Sequence, residues 1–313
     1  RLAKAASISE TEEIRVNLLG KKGQMTEILR SMKDMAPEER KAFGQAANET
    51  RAAIEKMLKS KLDEVKAKGE IVVGMECAYA PYNWAQATSN EYASVPLENG
   101  TYADGYDVQI AKRIAEALGV KLVIKPIEWN GLTSALNSRQ IDMIIAGMSP
   151  TEDRRLSVDF TNTYLDSELV IVVKKGSAYA SATKIADFAG AKITGQLNTF
   201  HYDVIGQIEG VKKETALEDF AGLIQSLRSG AIDGYVCEKP GAISAVAANP
   251  EFTYVEFTKE NGFKYNAEEA SIAVGVRKNS SLTAEINRII ASIPAEEREQ
   301  MMKEAILRQP VNS

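Results

Sequence analysis

The sequence predicts an α/β body of two similar lobes, preceded by an antiparallel α-helical hairpin. The first observation is a change of charge, since residues 1–68 carry 15 Lys and Arg against 11 Asp and Glu (net +4), and the remainder has a net charge of −9. The second is that short β-rich segments alternate with amphipathic helices from Glu70 onward. The third is an internal repeat within this body. Two different kinds of domain are therefore joined in one chain.

Composition limits the classes of function that the chain can have. The sequence is 44% hydrophobic and 26% charged, as in an ordinary soluble globular protein. Its longest strongly apolar run, Leu169 to Val173, is far shorter than the roughly 20 residues of a membrane span. A single histidine and two cysteines exclude a multi-histidine metal cluster and a disulfide framework. We therefore expect no metal and no cofactor. A single disulfide between Cys77 and Cys237 remains an open alternative. We expect His201 to lie in a partly exposed loop, and the alternative is that it acts as a base.

Helix signals organise the first 68 residues. Ser9 to Glu12 (SETE) fits a capping box, and Pro37 is expected to be the first residue of a second helix. Apolar residues recur on one face of each helix, so an antiparallel hairpin would bury both faces. Gly69 is expected to end the helical arm, which gives a first domain of residues 1–68.

The arm resembles a known extension of a translation enzyme. Residues 14–58, with LGKKG and PEER at this spacing, are similar to the N-terminal coiled-coil arm of the phenylalanyl-tRNA synthetase alpha subunit. The resemblance implies an RNA-facing arm in which Lys21 and Lys22 contact phosphate. The alternative is a solvated helical arm whose lysines only favour solubility. Nothing after residue 68 resembles the catalytic core of that family, so aminoacylation is not implied.

The body begins with predicted strands separated by helices. The strands are expected at 71–75, 121–127, 141–147 and 191–194, and an amphipathic helix at 107–119. Residues 131–145 (GLTSALNSRQIDMII) match residues 222–236 (GLIQSLRSGAIDGYV) at six of fifteen positions. Each copy reads as a helix, a tight turn and a buried strand, which indicates a duplicated lobe.

The residues after the two repeated strands form the predicted site. Ligands bind beyond the carboxyl ends of strands in open α/β sheets, so Ser149 and Arg154 are expected on one wall of a cleft and Glu238 on the other. A cation facing an anion across a gap suits a zwitterion. We also expect Ser149 to cap a helix that begins at Pro150, and Arg154 to offer its planar fork to a carboxylate. A surface arginine beside a well-capped helix is the alternative.

The body resembles the polar amino-acid receptors of ABC importers. The segments that match are IVVGMECAYAPYNW, YADGYDVQIAKRIAEALG, EWNGLTSALNSRQIDMIIAGMSPTEDR, SVDFTNTYLDSELVIVVKKGS, TGQLNTFHY and AIDGYVCEKPGA, in that family's order. The resemblance implies a two-lobed, periplasmic-binding-protein-like fold of type II, with hinge strands near 169–174 and 271–276. It places the first lobe at 69–171 and 272–313, and the second at 172–271.

The resemblance also implies roles for individual residues. The α-carboxylate of an amino acid would be held by Gly147, Ser149 and Arg154, with help from Thr199 and the amide of Phe200, and Glu238 would take the α-ammonium. Tyr79 and Trp129 map to the aromatic residues that stack on the ligand, and Glu76 to the acid that binds a basic side chain. An acid between two aromatic rings favours arginine or lysine. Core packing of the two rings and a surface position for Glu76 are the alternatives. Asn83, Trp84 and Gln196 are further candidates for the lining, with a loop anchor as the other interpretation of the first two.

The sequence therefore predicts a non-enzymatic receptor outside the cytoplasm that binds a free L-amino acid and delivers it to an ABC permease. A cytoplasmic amino-acid sensor or tRNA-associated module is the first alternative, because of the arm. A dehydratase-like enzyme on the same fold, with Glu238 or His201 as acid or base, is the second.

Overall fold

The computed structural model describes residues 18, 23–31, 37–58 and 61–310. The arm contains helices α1 (Gln24–Ser31), α2 (Pro37–Leu58) and α3 (Lys61–Lys68), and α1 contacts α2. Pro37 is the first residue of α2, as predicted, because its fixed φ suits a first helical position. The capping box predicted at 9–12 and the two lysines proposed to contact phosphate, Lys21 and Lys22, lie outside the described residues.

The arm ends where it packs against the body. Gly69 has φ +72°, the left-handed conformation that glycine adopts readily, and it ends α3 as predicted. Val65 of α3 is fully buried in the same hydrophobic cluster as Ile71 and Val73 of the first body strand. The last turns of the arm are therefore anchored in the core of the body.

The first lobe is built on a five-stranded sheet with the order β6-β1-β7-β14-β8. A smaller antiparallel sheet, β2-β3-β5-β4, follows β1 in the chain. The strands are β1 (Glu70–Met75), β2 (Ala78–Tyr79), β3 (Asn83–Gln86), β4 (Val95–Pro96), β5 (Tyr102–Asp104), β6 (Lys121–Pro126), β7 (Met143–Ile144), β8 (Asp159–Leu165) and β14 (Ile272–Val276). The helices are α4 (Tyr106–Leu118), α5 (Leu132–Asn137), α6 (Glu152–Ser157), α10 (Leu282–Ser292) and α11 (Ala295–Arg308), with a 3-10 turn at Trp129–Gly131.

The second lobe is built on a sheet with the order β11-β10-β12-β9-β13. Its strands are β9 (Leu169–Lys174), β10 (Lys192–Thr194), β11 (Lys212–Lys213), β12 (Gly234–Glu238) and β13 (Phe252–Val255). Its helices are α7 (Phe200–Asp203), α8 (Phe220–Ser229) and α9 (Lys239–Ala248), with 3-10 turns at Ile185–Phe188, Val204–Gln207 and Ala267–Ala270, and Ala270 is buried in this lobe's hydrophobic cluster.

The two large sheets have the same plan, in agreement with the internal repeat. In each sheet the first three strands are parallel to one another, and each of the last two strands pairs antiparallel with the strand before it. The strands that end the two repeat copies, β7 and β12, both occupy the third position. The chain crosses between the sheets twice, after β8 and after β13. All of β9 pairs within the second sheet and all of β14 within the first, so neither predicted crossing strand crosses. The crossing predicted near 169–174 lies at 166–168, and the one predicted near 271–276 lies between β13 and β14, at 256–271.

The strand predicted at 141–147 is much shorter in the structure. Only Met143–Ile144 pairs with its neighbours, because the chain turns away at Gly147, which has φ +60°. A Cβ atom at Gly147 would also lie 3.1 Å from the ring of Tyr79. Glycine at this position thus lets the chain leave the sheet and lets an aromatic ring pack against the backbone.

Hydrogen bonds at Gln309 also join the two lobes. Gln309, after α11, donates from Nε2 to the carbonyl oxygen of Ser244 in α9 (3.1 Å) and accepts from the Ser244 hydroxyl. Both residues are buried. Meanwhile Arg308 pairs with Asp104, so α11 is held to the first lobe. None of the described helices combines the length and the apolar character that crossing a membrane requires.

Candidate functional site

The first wall of the site follows β7. Ser149 is 2% exposed, and Arg154 lies in the first turn of α6. The prediction that Ser149 caps a helix from Pro150 is wrong, because α6 starts at Glu152 and its N-cap is Thr151, whose hydroxyl accepts from the backbone N–H of Arg154 (3.4 Å). Ser149 instead lies upstream of the helix, and its carbonyl oxygen faces the arginine.

Arg154 reaches from the first lobe to the second. Its Nη1 donates to the carbonyl oxygen of Ser149 (2.8 Å) and its Nη2 donates to that of Asn198 on the second lobe (3.0 Å). The guanidinium lies 4.9 Å from the ring centre of Trp129, close enough for cation–π attraction. Burial lowers the pKa of Arg154 to about 10, against the opposing field of Glu238, so the side chain stays charged near neutral pH. Three of its five N–H donors are left for other acceptors.

The second wall comes from the ends of β10 and β12. Thr199 is buried and its hydroxyl donates to the carbonyl oxygen of Gln196 (2.7 Å), while Phe200 begins α7. Glu238 is the last residue of β12 and is 1% exposed. Its Oε1 lies 2.9 Å from Nε2 of His201, although the alignment is too poor for a hydrogen bond. Burial acts to raise the pKa of Glu238, but His201 and the hydroxyl of Tyr79 outweigh it and hold that pKa below its ordinary value.

Tyr79 of β2 crosses between the lobes. Its hydroxyl donates to Oε2 of Glu238 (2.7 Å), and its ring stacks on Phe220 of the second lobe with ring centres 4.1 Å apart. The same ring tilts against Tyr82 at 4.7 Å. Tyr79 thus contributes both core packing and a direct contact with the buried carboxylate.

The two walls enclose one small cavity of about 10 Å³, roughly the space that one water molecule needs. It is lined by Tyr79, Trp129, Gly147, Ser149, Arg154, Gln196, Thr199, Phe200, His201 and Glu238. Eight of the nine predicted site residues lie in this lining; Glu76 is the exception. The charged side chains in the lining are those of Arg154 and Glu238, and His201 adds an imidazole. The cavity therefore offers one cation and one anion, on opposite lobes, to a small polar molecule.

Glu76 lies beside the cavity rather than in its lining. Its carboxylate is hydrogen-bonded to Gln196, which is part of the lining, while its Oε2 is buried without a hydrogen-bond partner. Burial and the nearby carboxylate of Asp219 raise the pKa of Glu76 to about 7. An acid of this kind is readily protonated unless a cation approaches it.

Two of the further lining candidates have other roles. Asn83 is fully buried, donates to Asp107 (2.9 Å) and accepts from the backbone N–H of Cys77 (2.7 Å), so it anchors the loop. Trp84 lines a separate cavity that also includes Cys77. Gln196 does line the site. Both cysteines, Cys77 and Cys237, are buried free thiols.

Sequence reasoning missed several residues that support the site. His201 was expected in a partly exposed loop, but it is 4% exposed and contacts Glu238; its position two residues after Thr199 was the available signal. Asp107, in the first turn of α4, accepts from Tyr164 (2.7 Å) and from the backbone of Gly147, and burial raises its pKa to about 6. The pair Asn198–Asn130 joins the lobes by a side-chain hydrogen bond of 2.6 Å, which no sequence pattern indicated. Within the described ranges, no cluster of three or more His, Cys, Asp or Glu side chains could hold a metal ion.

Comparisons with known proteins agree with this arrangement. Residues 71–307 match the family of bacterial extracellular solute-binding proteins, family 3. The arginine-binding extracellular protein ArtP of Bacillus subtilis is 29% identical over 209 residues, which cover 65% of this chain and 77% of that protein. The L-cystine-binding protein TcyJ of Escherichia coli is 27% identical over 244 residues, covering 78% and 84%. An amino acid ABC transporter substrate-binding protein from Streptococcus pneumoniae, solved with L-arginine, has the same fold (TM-score 0.68, 24% identity, covering 79% of this chain and 98% of that one).

The arm has relatives of its own. Residues 6–70 match the N-terminal domain of class II aminoacyl-tRNA synthetases, and the phenylalanine–tRNA ligase alpha subunit of Lachnoclostridium phytofermentans is 47% identical over 73 residues, covering 21% of this chain and 22% of that one. The predicted resemblance of the arm is confirmed. The two-lobed body nevertheless makes up most of the molecule and contains the whole cavity. The chain belongs to family 3 of the bacterial extracellular solute-binding proteins and carries a synthetase-type N-terminal domain.

Proposed function

We propose that this chain is the amino-acid receptor of an ABC importer. The observation that carries the proposal is the pairing of Arg154 and Glu238 on opposite walls of one cavity between the lobes. An α-amino acid carries a carboxylate and an ammonium group a few ångströms apart, which such a pair would recognise together. Both side chains are charged near neutral pH, because the pKa of Arg154 stays near 10 and that of Glu238 lies below its ordinary value.

The remaining lining residues have roles that follow from their chemistry. The guanidinium of Arg154, helped by Ser149, Thr199 and the backbone amide of Phe200, would hold the carboxylate beside Gly147, whose own backbone N–H is directed to Asp107. These groups come from both lobes, so closing the lobes around the ligand adds donors to it. Glu238 would accept the ammonium, and the rings of Tyr79 and Trp129 would bound the ligand's aliphatic part.

The ligand's side chain is proposed to be basic, arginine or lysine. Glu76 and Asp219 place two acidic groups near Gln196 at the edge of the cavity, and the pKa of Glu76 is raised to about 7. A guanidinium or ammonium group beside Glu76 would restore its charge and form charge-assisted hydrogen bonds. One relative is named for arginine and another for cystine. Cystine is therefore the competing ligand, and a buried acid beside the cavity favours arginine over it.

Delivery to a membrane permease completes the proposed function. Solute-binding proteins of this family work outside the cytoplasm, and a receptor whose lobes close on an amino acid can present the closed form to an ABC permease. The proposal needs no RNA contact by the arm. It also gives Glu238 a binding role, which leaves no need for catalysis.

A thermal-shift screen of the common amino acids and cystine, followed by calorimetry, tests the proposal. Arginine or lysine should give the largest rise in melting temperature, because a ligand that binds only the folded state stabilises it. Replacing Arg154 by Ala should weaken binding by about 2 to 5 kcal/mol, since a desolvated carboxylate loses its partner. Arg155→Ala is the matched control, because Arg155 is the next residue but pairs with Glu268 outside the cavity.

Two results would contradict the proposal. If no amino acid changes the melting temperature of the folded protein, the cavity is not an amino-acid site. If Arg154→Ala and Arg155→Ala bind the ligand with equal affinity, the carboxylate is not held as proposed. A preference for cystine over arginine would leave the receptor function in place and refute the basic ligand.

A further inference from the structure

The chain has one histidine, and it lies against the carboxylate at the centre of the site. His201 follows Phe200 in α7, lines the cavity, and has a side chain that is 5% exposed. Its Nε2 is 2.9 Å from Oε1 of Glu238, and its Nδ1 is buried without a hydrogen-bond partner among the described residues. The sequence suggested a partly exposed loop residue, but the imidazole is buried and contacts a buried carboxylate of the site.

The carboxylate of Glu238 is approached from both lobes. Tyr79 donates to Oε2 from the first lobe, and His201 faces Oε1 from the second. A carboxylate that is hydrogen-bonded at one oxygen and in contact with an imidazole at the other is confined in orientation, and this reduces the side-chain entropy that Glu238 loses when an ammonium group binds. The neutral imidazole can do this with its Nε2–H, whereas the imidazolium does it with a full positive charge.

The two charge states have opposite effects on a cationic ligand group. An imidazolium would already neutralise Glu238 and would repel an ammonium group that approaches the same carboxylate. A neutral imidazole would orient the carboxylate and leave its charge for the ammonium. Imidazole is the side chain that changes between these forms in weakly acidic solution.

We propose that His201 is a positioning residue for the ammonium receptor, and that amino-acid binding selects its neutral form and so releases a proton. This inference rests on the proposed function, since it gives Glu238 the ammonium. Under it, acid weakens binding by charging His201 while Arg154 keeps its charge.

Other charged and titratable groups near His201 do not change the expectation that acid weakens ligand binding. Arg154 on α6 and Tyr79 on β2 share the cavity with it, and both keep their charge state between pH 5 and 8 because the pKa is about 10 for the first and well above 10 for the second. Asp203, on the same helix, is exposed and acts on Arg154. The ring of Phe200, centred 4.6 Å away, is uncharged. Glu238 is therefore the ionised group in direct contact with the imidazole.

The first test uses the fact that a single histidine gives a single set of imidazole signals in NMR. The full-length protein is titrated with and without the amino acid that binds tightest in the thermal-shift screen, and the ring C–H signals are followed from pH 5 to 8.5. The inference expects ligand to move the midpoint of the His201 titration to lower pH by at least about 0.7 unit, the shift that a fivefold effect on affinity requires. A midpoint that stays in place, or rises, would overturn it.

The second test compares two substitutions by calorimetry at pH 5.5 and 8. His201→Gln keeps an N–H near Glu238 without the ability to charge, and His201→Phe keeps an aromatic ring without the N–H. In wild type, affinity should fall at least tenfold from pH 8 to 5.5. In His201→Gln, affinity at pH 8 should stay within about threefold of wild type. The loss of affinity from pH 8 to 5.5 should be at least fivefold smaller in this variant than in wild type. In His201→Phe, affinity at pH 8 should be about tenfold or more below that of wild type.

Each outcome bears on the inference. Because Glu76 is present in every variant, its own contribution to the pH dependence cancels in the comparison. If wild type binds an amino acid but His201→Gln has the same pH dependence, the positioning role is wrong while the proposed function stands. If wild type binds no amino acid, the proposed function fails and this inference fails with it. The NMR titration needs no variant, so a misfolded substitution does not decide the matter.

Discussion

Replacing Glu76 by glutamine should stabilise the ligand-free protein and weaken its binding of arginine. Glu76 is largely buried beside Asp219, and its pKa is raised from 4.5 to about 7. The folded protein therefore keeps a proton on this group over a pH range in which the unfolded chain has lost it. Since the unfolded state binds fewer protons there, stability falls as the pH rises from 4.5 to 7 and stays lower above it.

The size of the effect follows from the same values. A rise from 4.5 to about 7, at 1.36 kcal/mol for each pH unit, corresponds to about 3 kcal/mol. Glutamine can keep the hydrogen bond to Gln196, and it has no charge to lose. The free energy of unfolding of Glu76→Gln should therefore exceed that of wild type by up to about 3 kcal/mol at pH 8, and the two should be nearly equal at pH 4.5.

Denaturant unfolding of the ligand-free protein at pH 4.5, 6 and 8 measures this difference. Glu98→Gln is the matched control, because Glu98 is an exposed loop residue and the same change of charge there should have little effect. Calorimetry with arginine at pH 8 completes the assay, and there the substitution should weaken binding tenfold or more.

A gain in stability that is the same at pH 4.5 and 8 would refute the reasoning, because the effect would then not come from the ionisation of Glu76. No gain at pH 8 would show that the carboxylate is well solvated in the ligand-free protein. A gain in stability without any loss of arginine affinity would remove Glu76 from the ligand site and leave it a structural acid.

Three further predictions concern stability and chemistry. Gly147→Ala should lower the free energy of unfolding by about 1–3 kcal/mol in urea unfolding, because φ is +60° and the added Cβ would meet Tyr79 at 3.1 Å; wild-type stability would show that the turn can relax. Gln309→Ala should lower it by about 1–3 kcal/mol, because it leaves the buried hydroxyl of Ser244 without its partner, and small-angle scattering should show a larger radius for the ligand-free variant; an unchanged radius would contradict a link between the lobes. Without reductant, a thiol reagent should react slowly with the native protein and count two thiols after unfolding, since Cys77 and Cys237 are buried and free; a count of zero would mean a disulfide.

Much of the fold could be predicted because it depends on local patterns. The repeat at 131–145 and 222–236 predicted two lobes, and the two sheets do share one pattern of parallel and antiparallel pairing. Glycine and proline signals located the ends of the helices at Pro37 and Gly69, where the required φ is a property of one residue. Such signals do not depend on contacts between distant parts of the chain.

The cap at Ser149 was predicted wrongly for a physical reason. Ser149 and Thr151 both offer a hydroxyl near the start of α6, and the sequence pattern fits either one. The choice falls on Thr151 because Ser149 is held in the cavity wall, where its carbonyl oxygen accepts from the Arg154 guanidinium. A tertiary contact therefore decided between two equal local signals.

The contacts across the site lay beyond sequence reasoning. His201 and Glu238 are 37 positions apart in the chain and lie on different elements, so their contact depends on how α7 and β12 pack. Glu76 maps to the expected strand end, but it is not itself part of the cavity lining and instead contacts Gln196, which is. Burial and partner geometry set the chemistry of these groups, and neither can be obtained from spacing.

The strand order has a consequence for how the chain matures during synthesis. Every strand of the second sheet comes from one continuous stretch, 169–255, so that sheet can be completed as soon as this stretch has left the ribosome. The first sheet cannot, because β8 pairs only through β14 with the rest of its sheet, and β14 is made later. The first lobe is thus begun first and finished last. Until Ile272–Val276 emerges from the ribosome, the edge of its sheet at β7 is unpaired and open to unwanted strand pairing.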